Sequence, residues 1–179
     1  MTADWTEIEA TTRGGRRVSL RFAAEEYAER LARFRAELNR RGLAALLIFA
    51  QESHYWLTGF DSAGYVLFQA GVIPADDRGT VLLTRIPDRR QAEVASLYDE
   101  VRVWVNAPDA RPAEELRAIL AELGCAGAKV GVEFASYGLT AANPDISPSG
   151  GASGFRIGES SSATKRYGDA GELPDADGV

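Results

Sequence analysis

The feature that most constrains the fold is an apolar run of eight residues followed at once by polar residues. Leu43 to Ala50 contains no polar side chain, and it comes just after Gly42, a residue type that commonly ends helices. The run is too short to cross a membrane, and it predicts a strand buried on both faces of a helix-covered sheet. Because ligands collect at the ends of central strands in open α/β sheets, we expect residues 51–60 to carry functional side chains.

A helix is predicted over 24–41, directly before the apolar run. Its large apolar side chains recur at intervals of three and four residues, which places them on one helical face. Glutamates fall in the first turns and arginines near the end, as the helix dipole favours. We expect this helix to pack against the following strand through Tyr27, Leu31, Phe34 and Leu38.

Downstream of residue 60 the sequence predicts further strands and helices. Strands are expected over 65–70, 80–85, 101–105 and 129–133, and helices over 87–98 and from Pro112 to a stop at Gly124. The close spacing of the first two strands favours an antiparallel hairpin. The resulting order, α-β-β-β-α-β-α-β, predicts the α/β class, with a mixed β-sheet and flanking helices.

The two ends of the chain differ in composition from the middle. Residues 1–21 combine polar residues with a Gly-Gly pair and several arginines, and they predict an arm or a short edge strand. Residues 144–179 contain seven glycines, six serines and three prolines, a composition that predicts a disordered tail. We therefore expect an N-terminal arm, one folded domain over 22–143, and a low-complexity C-terminal stretch.

Charge and cysteine content exclude several classes of protein. The chain has 20 Lys and Arg residues against 26 Asp and Glu residues, and this net charge of −6 argues against nucleic-acid binding. A single cysteine, Cys125, excludes an internal disulfide framework and a cysteine metal cage, and a buried thiol is expected. We predict no signal peptide, no membrane span and a cytoplasmic location.

No complete catalytic motif is visible in the sequence. A metal centre needs several His, Asp or Glu side chains that converge on one ion, but the chain has one histidine, His54, and no close Asp/Glu spacing beside a strand end. The glycine-rich stretch 150–154 lacks the Lys-Ser/Thr of a phosphate-binding loop, and no G-x-S-x-G occurs. We therefore predict neither catalytic residues nor metal ligands in this chain.

Two interpretations of the segment from His54 to Phe60 remain open. In the first, its aromatic and leucine side chains pack as a short helical turn under the sheet, with the histidine hydrogen-bonded inside. In the second, polar side chains of this segment and the next loop face a pocket that other residues complete. The two are compatible, because apolar members can pack while polar members face outward. The substrate-facing candidates are His54, Asp61, Ser62 and Tyr65.

The order of these elements resembles a known family. A helix ending in Arg40-Arg41-Gly42-Leu43, an apolar strand, and then Tyr55-Trp56-Leu57-Thr58-Gly59-Phe60 is similar to the N-terminal domain of creatinases, prolidases and Xaa-Pro aminopeptidases, the pita-bread metallohydrolases. The resemblance covers residues 22–143 and includes the predicted strand at 129–133. Within the family, the chain looks most like creatinase-like and ectoine-hydrolase-like members.

The resemblance implies a domain that precedes a larger catalytic domain. In such enzymes the catalytic domain binds two divalent metal ions (Mn, Co or Zn) through two Asp, one His and two Glu, or uses a related metal-free set in creatinase. The N-terminal domain helps to form a homodimer, and the loop after Thr-Gly-Phe lends residues to the neighbouring subunit's active site. Here that loop, 61–65, lacks the Phe/Arg pair that contacts substrate in creatinase, so creatine is not the expected substrate.

The sequence thus predicts a non-catalytic N-terminal domain of a creatinase- or Xaa-Pro dipeptidase-like hydrolase. Its expected partner is a catalytic domain or parent subunit, and family-like sequence ends near Asn143, which suggests truncation or a frameshift. One alternative is a stand-alone α/β module that binds a small ligand or a protein. A third hypothesis, a self-sufficient hydrolase that uses His54, lacks a partner motif.

Overall fold

The chain forms a central sheet with helices on both faces and a separate hairpin near its start. The computed structural model describes residues 7–134 and 136 and the backbone of 156–158, with Tyr65 described in backbone only. The helices are α1 (Ala24–Arg40), α2 (Gln51–Thr58), the 3-10 helix η1 (Ala63–Val66), α3 (Ile86–Ala95) and α4 (Pro112–Glu122). The strands are β1 (Ile8–Thr11), β2 (Arg17–Leu20), β3 (Ala45–Ile48), β4 (Ala70–Pro74), β5 (Val81–Arg85), β6 (Glu100–Trp104), β7 (Lys129–Val132) and β8 (Arg156–Gly158).

The central sheet is mixed and has the strand order β6-β5-β4-β3-β7-β8. Strand β4 is antiparallel to both of its neighbours, and the other pairs are parallel. The parallel strands therefore end at one edge of the sheet, and β4 begins there. We call this the strand-end edge; it comprises the residues that follow Ile48, Arg85, Trp104 and Val132 and those that precede Ala70.

Strand β3 lies inside the sheet, and all four of its residues are buried. Ala45 and Leu47 belong to an apolar cluster that includes α4, whereas Leu46 and Ile48 belong to a second cluster with residues of α1, α2 and α3. The alternation places helices on both faces of the sheet. It confirms the predicted strand buried on two faces and the predicted α/β class with a mixed sheet.

The predicted helices and most predicted strands are present. In α1, Tyr27 and Leu38 are buried and Leu31 and Phe34 are partly buried, as the periodicity predicts. In α4, the apolar face packs on the sheet, and the Cys125 thiol just beyond it is buried. Within the described residues, no helix combines the length and the apolar content needed to cross a bilayer.

One predicted strand is misplaced by five residues. The sequence predicts a buried strand over 65–70, but η1 and a loop occupy most of that stretch, and β4 begins only at Ala70. The apolar side chains that suggested the strand face outward instead, since Val66 is 53% exposed and Leu67 is 40% exposed. The prediction of an antiparallel β4–β5 pair is confirmed, with Ala70 opposite Leu83.

The misplacement has a physical cause in the composition of β4. Gly71 and Pro74 are typical of turns, and they hide the strand from a pattern-based prediction. Gly71 is required by packing, because a Cβ at this position would collide with the Tyr98 hydroxyl and the Ile48 side chain. A close approach between distant parts of the chain leaves no local signal of its own.

Residues 8–20 form an antiparallel hairpin that is attached to the main domain by an arginine. The two strands pair from Ile8 opposite Leu20 to Thr11 opposite Arg17. The Arg16 guanidinium donates hydrogen bonds to the carbonyl oxygens of Ala92 (3.0 Å), Glu93 (2.5 Å) and Tyr98 (2.5 Å). The predicted arm is therefore a paired hairpin anchored near the end of α3.

The far end of the chain is described only in part. Strand β8 pairs in parallel with β7, with Val130 opposite Ile157. This three-residue strand lies within the stretch for which the sequence predicts a disordered tail. The remainder of 144–179 and residues 1–6 of the predicted arm lie outside the described residues.

Candidate functional site

The end of β3 and the start of α2 are joined by a carboxylate from the residue that directly follows β7. Glu133 is 5% exposed, and its Oε2 accepts hydrogen bonds from the backbone N–H groups of Phe49 (2.8 Å) and Ala50 (2.8 Å). Its Oε1 accepts a third bond from the Ser53 hydroxyl (2.7 Å). A carboxylate at the N-terminus of a helix satisfies unpaired backbone donors and interacts favourably with the helix dipole. Glu133 therefore fixes the direction in which α2 leaves the sheet.

Sequence reasoning missed this role of Glu133. The sequence predicts only that this residue ends a strand, and it indicates no partner for the side chain. The available signal was a charged residue placed directly after an apolar strand, next to a helix whose preceding residue, Ala50, offers no capping side chain.

His54 faces the interior of the domain. The residue is 1% exposed, and Nδ1 of its ring lies 2.7 Å from the Tyr98 hydroxyl. Among the described residues, Nε2 has no partner with acceptable hydrogen-bond geometry. Burial lowers the pKa of His54 to about 3, while the Gln69 backbone acts in the opposite direction. The ring is neutral near pH 7 and cannot reach a ligand outside the domain from this position.

The remaining residues of the segment from His54 to Phe60 make different contacts on the inner and outer sides of α2. Leu57 and Phe60 are buried in the cluster that covers one face of the sheet, as the first interpretation predicts. The outer side of α2 packs against an arginine: the Arg30 guanidinium lies 4.7 Å from the Phe22 ring centroid and 5.5 Å from that of Trp56. Arg30 also donates a hydrogen bond to the Trp56 carbonyl oxygen (3.1 Å). These cation–π contacts anchor α2 to α1.

Ser62 holds the loop after α2 in place and does not project outward. Its hydroxyl accepts a hydrogen bond from the Gly64 N–H (2.9 Å) and donates one to Asp88 Oδ1 (2.6 Å). Asp88 Oδ2 in turn forms an ion pair with Arg85 (3.1 Å). Ser62 is 6% exposed, so its role in this structure is to connect η1 to the start of α3.

The four sequence-predicted candidates do not converge on one point. Asp61 is exposed and accepts a hydrogen bond from the Gln51 side-chain amide. His54 lies inside the core and Ser62 lies beneath the loop surface. The side chain of Tyr65 is outside the described residues. Asp61 is therefore the one candidate that the described structure presents to the exterior.

Exposed apolar side chains collect at the strand-end edge. They follow β5 and β6 or lie in the loop before β4, and the pairing of these strands brings their positions to the same edge. Exposed apolar clusters on soluble domains typically mark association surfaces. The side chains, here called the apolar rim, are Val66 (53% exposed), Leu67 (40%), Ile86 (60%) and Val105 (60%).

The apolar rim stands on a rigid base. The Trp104 indole N–H donates a hydrogen bond to the Phe68 carbonyl oxygen (3.0 Å), across β5. The Phe68 ring packs edge-to-face against Phe49 and Trp104, at centroid distances of 5.7 and 6.4 Å. This geometry fixes the end of the loop that contains Val66 and Leu67. Sequence reasoning missed the rim because it assigned these two residues to a buried strand.

The described residues do not fit a metal centre. Nowhere in the described part of the chain do three or more His, Cys, Asp or Glu side chains gather as ligands for one ion. The carboxylates of Glu133 and Glu37 each already accept three hydrogen bonds from protein groups.

Comparisons with known proteins identify similar sequences. A family model described as the Creatinase/Prolidase N-terminal domain matches residues 30–144. Ectoine hydrolase from Halomonas elongata is 30% identical over 131 residues, which cover 69% of this chain and 33% of that protein. The chain spans about a third of the length of the curated relatives it matches.

Solved structures share the fold. A dipeptidase from Pyrococcus horikoshii OT3 superimposes with a TM-score of 0.60 at 22% identity, covering 77% of this chain and 36% of that one. The N-terminal domain of the cytoplasmic peptidase PepQ from Mycobacterium tuberculosis H37Rv gives a TM-score of 0.57 at 23% identity, covering 77% of this chain and 97% of that domain. The match therefore extends over nearly all of a separately solved N-terminal domain.

Proposed function

Because the chain belongs to the Creatinase/Prolidase N-terminal domain family, we propose that it is the non-catalytic N-terminal domain of a creatinase- or Xaa-Pro dipeptidase-like hydrolase. In this proposal, a catalytic domain outside the described residues hydrolyses a carbon–nitrogen bond of a peptide, amide or amidine. The domain described here supplies subunit contacts and covers the active site.

The observation that most supports the proposal is the apolar rim. Four large aliphatic side chains are between 40% and 60% exposed at a single edge of the sheet. Exposing apolar surface costs about 25 cal/mol per Å², so a surface of this kind favours a partner that covers it. The partner we propose is the catalytic domain, from the same subunit or from the second subunit of a homodimer.

The polar groups beside the rim support the covering role. Asp61 lies exposed at the start of the loop that leads to Val66 and Leu67. The hydrogen bonds that Ser62 donates to Asp88 and accepts from the Gly64 N–H hold this loop in one conformation. A preorganised loop loses little conformational entropy when it docks, which favours its use as a fixed wall of an active site.

Metal binding is assigned elsewhere in this proposal. The divalent ions implied for full-length relatives would be held by residues outside the described part of this chain, since the described donors do not fit such a site. A cytoplasmic location, suggested by the single cysteine, remains part of the proposal.

A chimera tests the proposal. The segment of Halomonas elongata ectoine hydrolase that aligns with this chain is replaced by the corresponding residues of this chain, and ectoine hydrolysis is measured. We expect an active chimera, with kcat/KM reduced about tenfold or more by Leu67→Asp or Ile86→Asp, because each buries a charge in the domain contact.

The matched control is Val94→Asp in the same chimera. Val94 is 43% exposed but lies near the end of α3, away from the strand-end edge. Equal losses from Leu67→Asp and Val94→Asp would contradict a contact at the rim. Full activity in a hydrolase from which the segment has been deleted would contradict the whole proposal.

A further inference from the structure

A half-open cleft of about 250 Å³ lies beneath the N-terminal hairpin, at the edge of the sheet opposite the apolar rim. The hairpin covers it with residues 11–13, and α1 and the end of α2 form its walls. The family match begins only at residue 30, so the hairpin and the first part of α1 lie outside it. Part of the lining of the cleft therefore lies outside the family match, and the rest lies within it.

The floor of the cleft is apolar. It is formed by small and aliphatic side chains from α1, α2 and the segment before β6, which leave room for an apolar group of modest size. Ala28 is exposed in the cleft, whereas Leu57 is buried beneath it. The floor residues are Ala24, Ala28, Leu31, Leu57 and Leu97.

Tyr27 also lines the cleft, but its hydroxyl is enclosed by the protein. The residue is 1% exposed, and the hydroxyl has no hydrogen-bond partner within the described residues. A Cβ built at Gly59, which does not line the cleft, would lie 3.2 Å from this hydroxyl. Burial raises the pKa of Tyr27 to about 12, so the hydroxyl stays protonated near neutral pH.

Two guanidinium groups share one carboxylate at the mouth of the cleft. Asp77 Oδ1 lies 3.0 Å from Arg13 Nη1 and 3.4 Å from Arg35 Nη1. The Asp77 side chain is 79% exposed, and ion pairs this exposed contribute little to stability. A ligand carboxylate can therefore replace Asp77 between the two arginines at small cost, with charge-assisted hydrogen bonds to both.

The mouth of the cleft also presents a second carboxylate, which is held in a fixed orientation. Asp99 Oδ2 accepts hydrogen bonds from the Thr80 N–H (2.7 Å) and the Thr80 hydroxyl (3.1 Å), which fix its orientation. Its other oxygen is not used by these bonds, so it can accept from a cationic nitrogen. With two arginines and two aspartates, the mouth of the cleft has no excess positive charge that would select a phosphate or a polyanion.

From this arrangement we propose that the cleft binds a small amino-acid-like zwitterion with an apolar side chain. The ligand's carboxylate pairs with Arg13 and Arg35, its ammonium group pairs with Asp99, and its side chain packs on the alanine and leucine floor. Binding at this site requires no catalytic domain, so this proposal is independent of the proposed function.

The test uses the full 179-residue chain and free amino acids as probes. Saturation-transfer NMR and titration calorimetry measure binding of L-leucine, N-acetyl-L-leucine and L-leucinamide at up to about 10 mM. We expect leucine to bind with a Kd in the millimolar range and the two analogues, each lacking one charge, to bind at least about fivefold more weakly. Equal affinities for all three would show apolar binding alone and would overturn the proposal.

Variants then locate the site. Ala28→Leu fills the cleft from an exposed helical position, so it should reduce leucine affinity about tenfold or more. The control is Ala32→Leu, which should leave leucine affinity unchanged. Ala32 is exposed on the same helix but does not line the cleft. Tyr27→Phe should raise the Tm of the ligand-free chain and leave leucine affinity unchanged, because it removes only an enclosed, unpaired hydroxyl. Equal effects of Ala28→Leu and Ala32→Leu, or no binding of leucine, isoleucine, valine, methionine or proline at about 10 mM, would overturn the proposal.

Discussion

The segment His54–Phe60 and the loop directly after it have opposite relations to the core. In the segment, the histidine, a leucine and a phenylalanine are almost completely buried, and the histidine ring pairs with Tyr98. In the loop, Val66 and Leu67 are exposed although they are as apolar as many core residues. The residues with conspicuous chemistry stabilise the fold, and the aliphatic residues without any motif form the surface available to a partner.

The comparison shows why a resemblance between motifs does not locate a contact. A Tyr-Trp-Leu-Thr-Gly-Phe motif is recognisable because its packing demands particular residues at particular positions. An association surface demands only exposure and apolar character, which many residue types satisfy.

Gly71→Ala should have the largest effect on the buried region. The added Cβ would meet the Tyr98 hydroxyl, the Ile48 side chain and the His54 ring, so either β4 or the His54–Tyr98 pair must move. We expect a loss of about 3 kcal/mol or more in the free energy of unfolding, measured by urea denaturation. Gly14→Ala is the control, because its nearest atoms lie 3.9 and 4.0 Å away. Similar losses from both substitutions would contradict the close packing around Gly71.

The pH dependence of stability should expose the buried state of His54. Because burial lowers its folded-state pKa to about 3, the unfolded chain binds the proton more readily between about pH 3 and the ordinary value of 6.5. The contribution of neutral His54 to the free energy of unfolding is therefore complete above pH 6.5. It is lost as the pH falls, at up to roughly 1.4 kcal/mol per pH unit.

His54→Gln provides the comparison for this prediction. The variant cannot titrate in this range, so its free energy of unfolding should fall less steeply between about pH 6.5 and pH 4.5 than that of the parent chain. Other groups act at lower pH: the hydrogen bonds from Arg40 and Arg41 lower the pKa of Glu37 to about 2. Parallel pH profiles for parent and variant would show that His54 is solvated.

Glu133→Gln should have an intermediate effect. The amide keeps the size of the side chain but removes the charge that faces the start of α2, and it weakens the hydrogen bonds from Phe49 and Ala50. We expect a loss of about 1–2 kcal/mol, measured by thermal or urea unfolding. Glu52→Gln is the control, since Glu52 is exposed in the first turn of the same helix. An equal loss in both would mean that the helix dipole alone, and no specific cap, is responsible.

The sequence predicts those parts of the fold that have a local pattern. The burial of β3 on both faces follows from its apolar run, and the inward faces of α1 and α4 follow from their periodicity. Strand β4 was misplaced because Gly71 is selected by contact with Tyr98, 27 positions away, and such a requirement leaves no nearby trace. The hairpin at 8–20 was predicted only as an arm or edge strand, since its anchor, Arg16, bonds to backbone carbonyl groups that no pattern identifies.

The candidate site was predicted less well than the fold. The sequence places the site at the ends of the central strands, and of the candidate side chains there His54 faces the core and Ser62 is used in hydrogen bonds within the loop. Exposure of Val66 and Leu67 depends on where β4 begins, so the error in one strand concealed the apolar rim. Burial is a property of the folded chain, and in this protein the same residue types occur both in the core and on the surface.

The smallest expected effect on stability comes from the apolar rim. The double substitution Leu67→Asp and Ile86→Asp changes side chains that are 40% and 60% exposed, so the free energy of unfolding should stay within about 0.5 kcal/mol of the parent value. Solution behaviour should change much more, because an uncovered apolar surface favours self-association at high protein concentration. Sedimentation velocity over a range of concentrations should show weaker self-association for the double variant, whereas Val94→Asp should behave like the parent. A large loss of stability in the double variant would place these side chains in the core, and unchanged self-association would remove the physical basis for treating this edge as a contact surface.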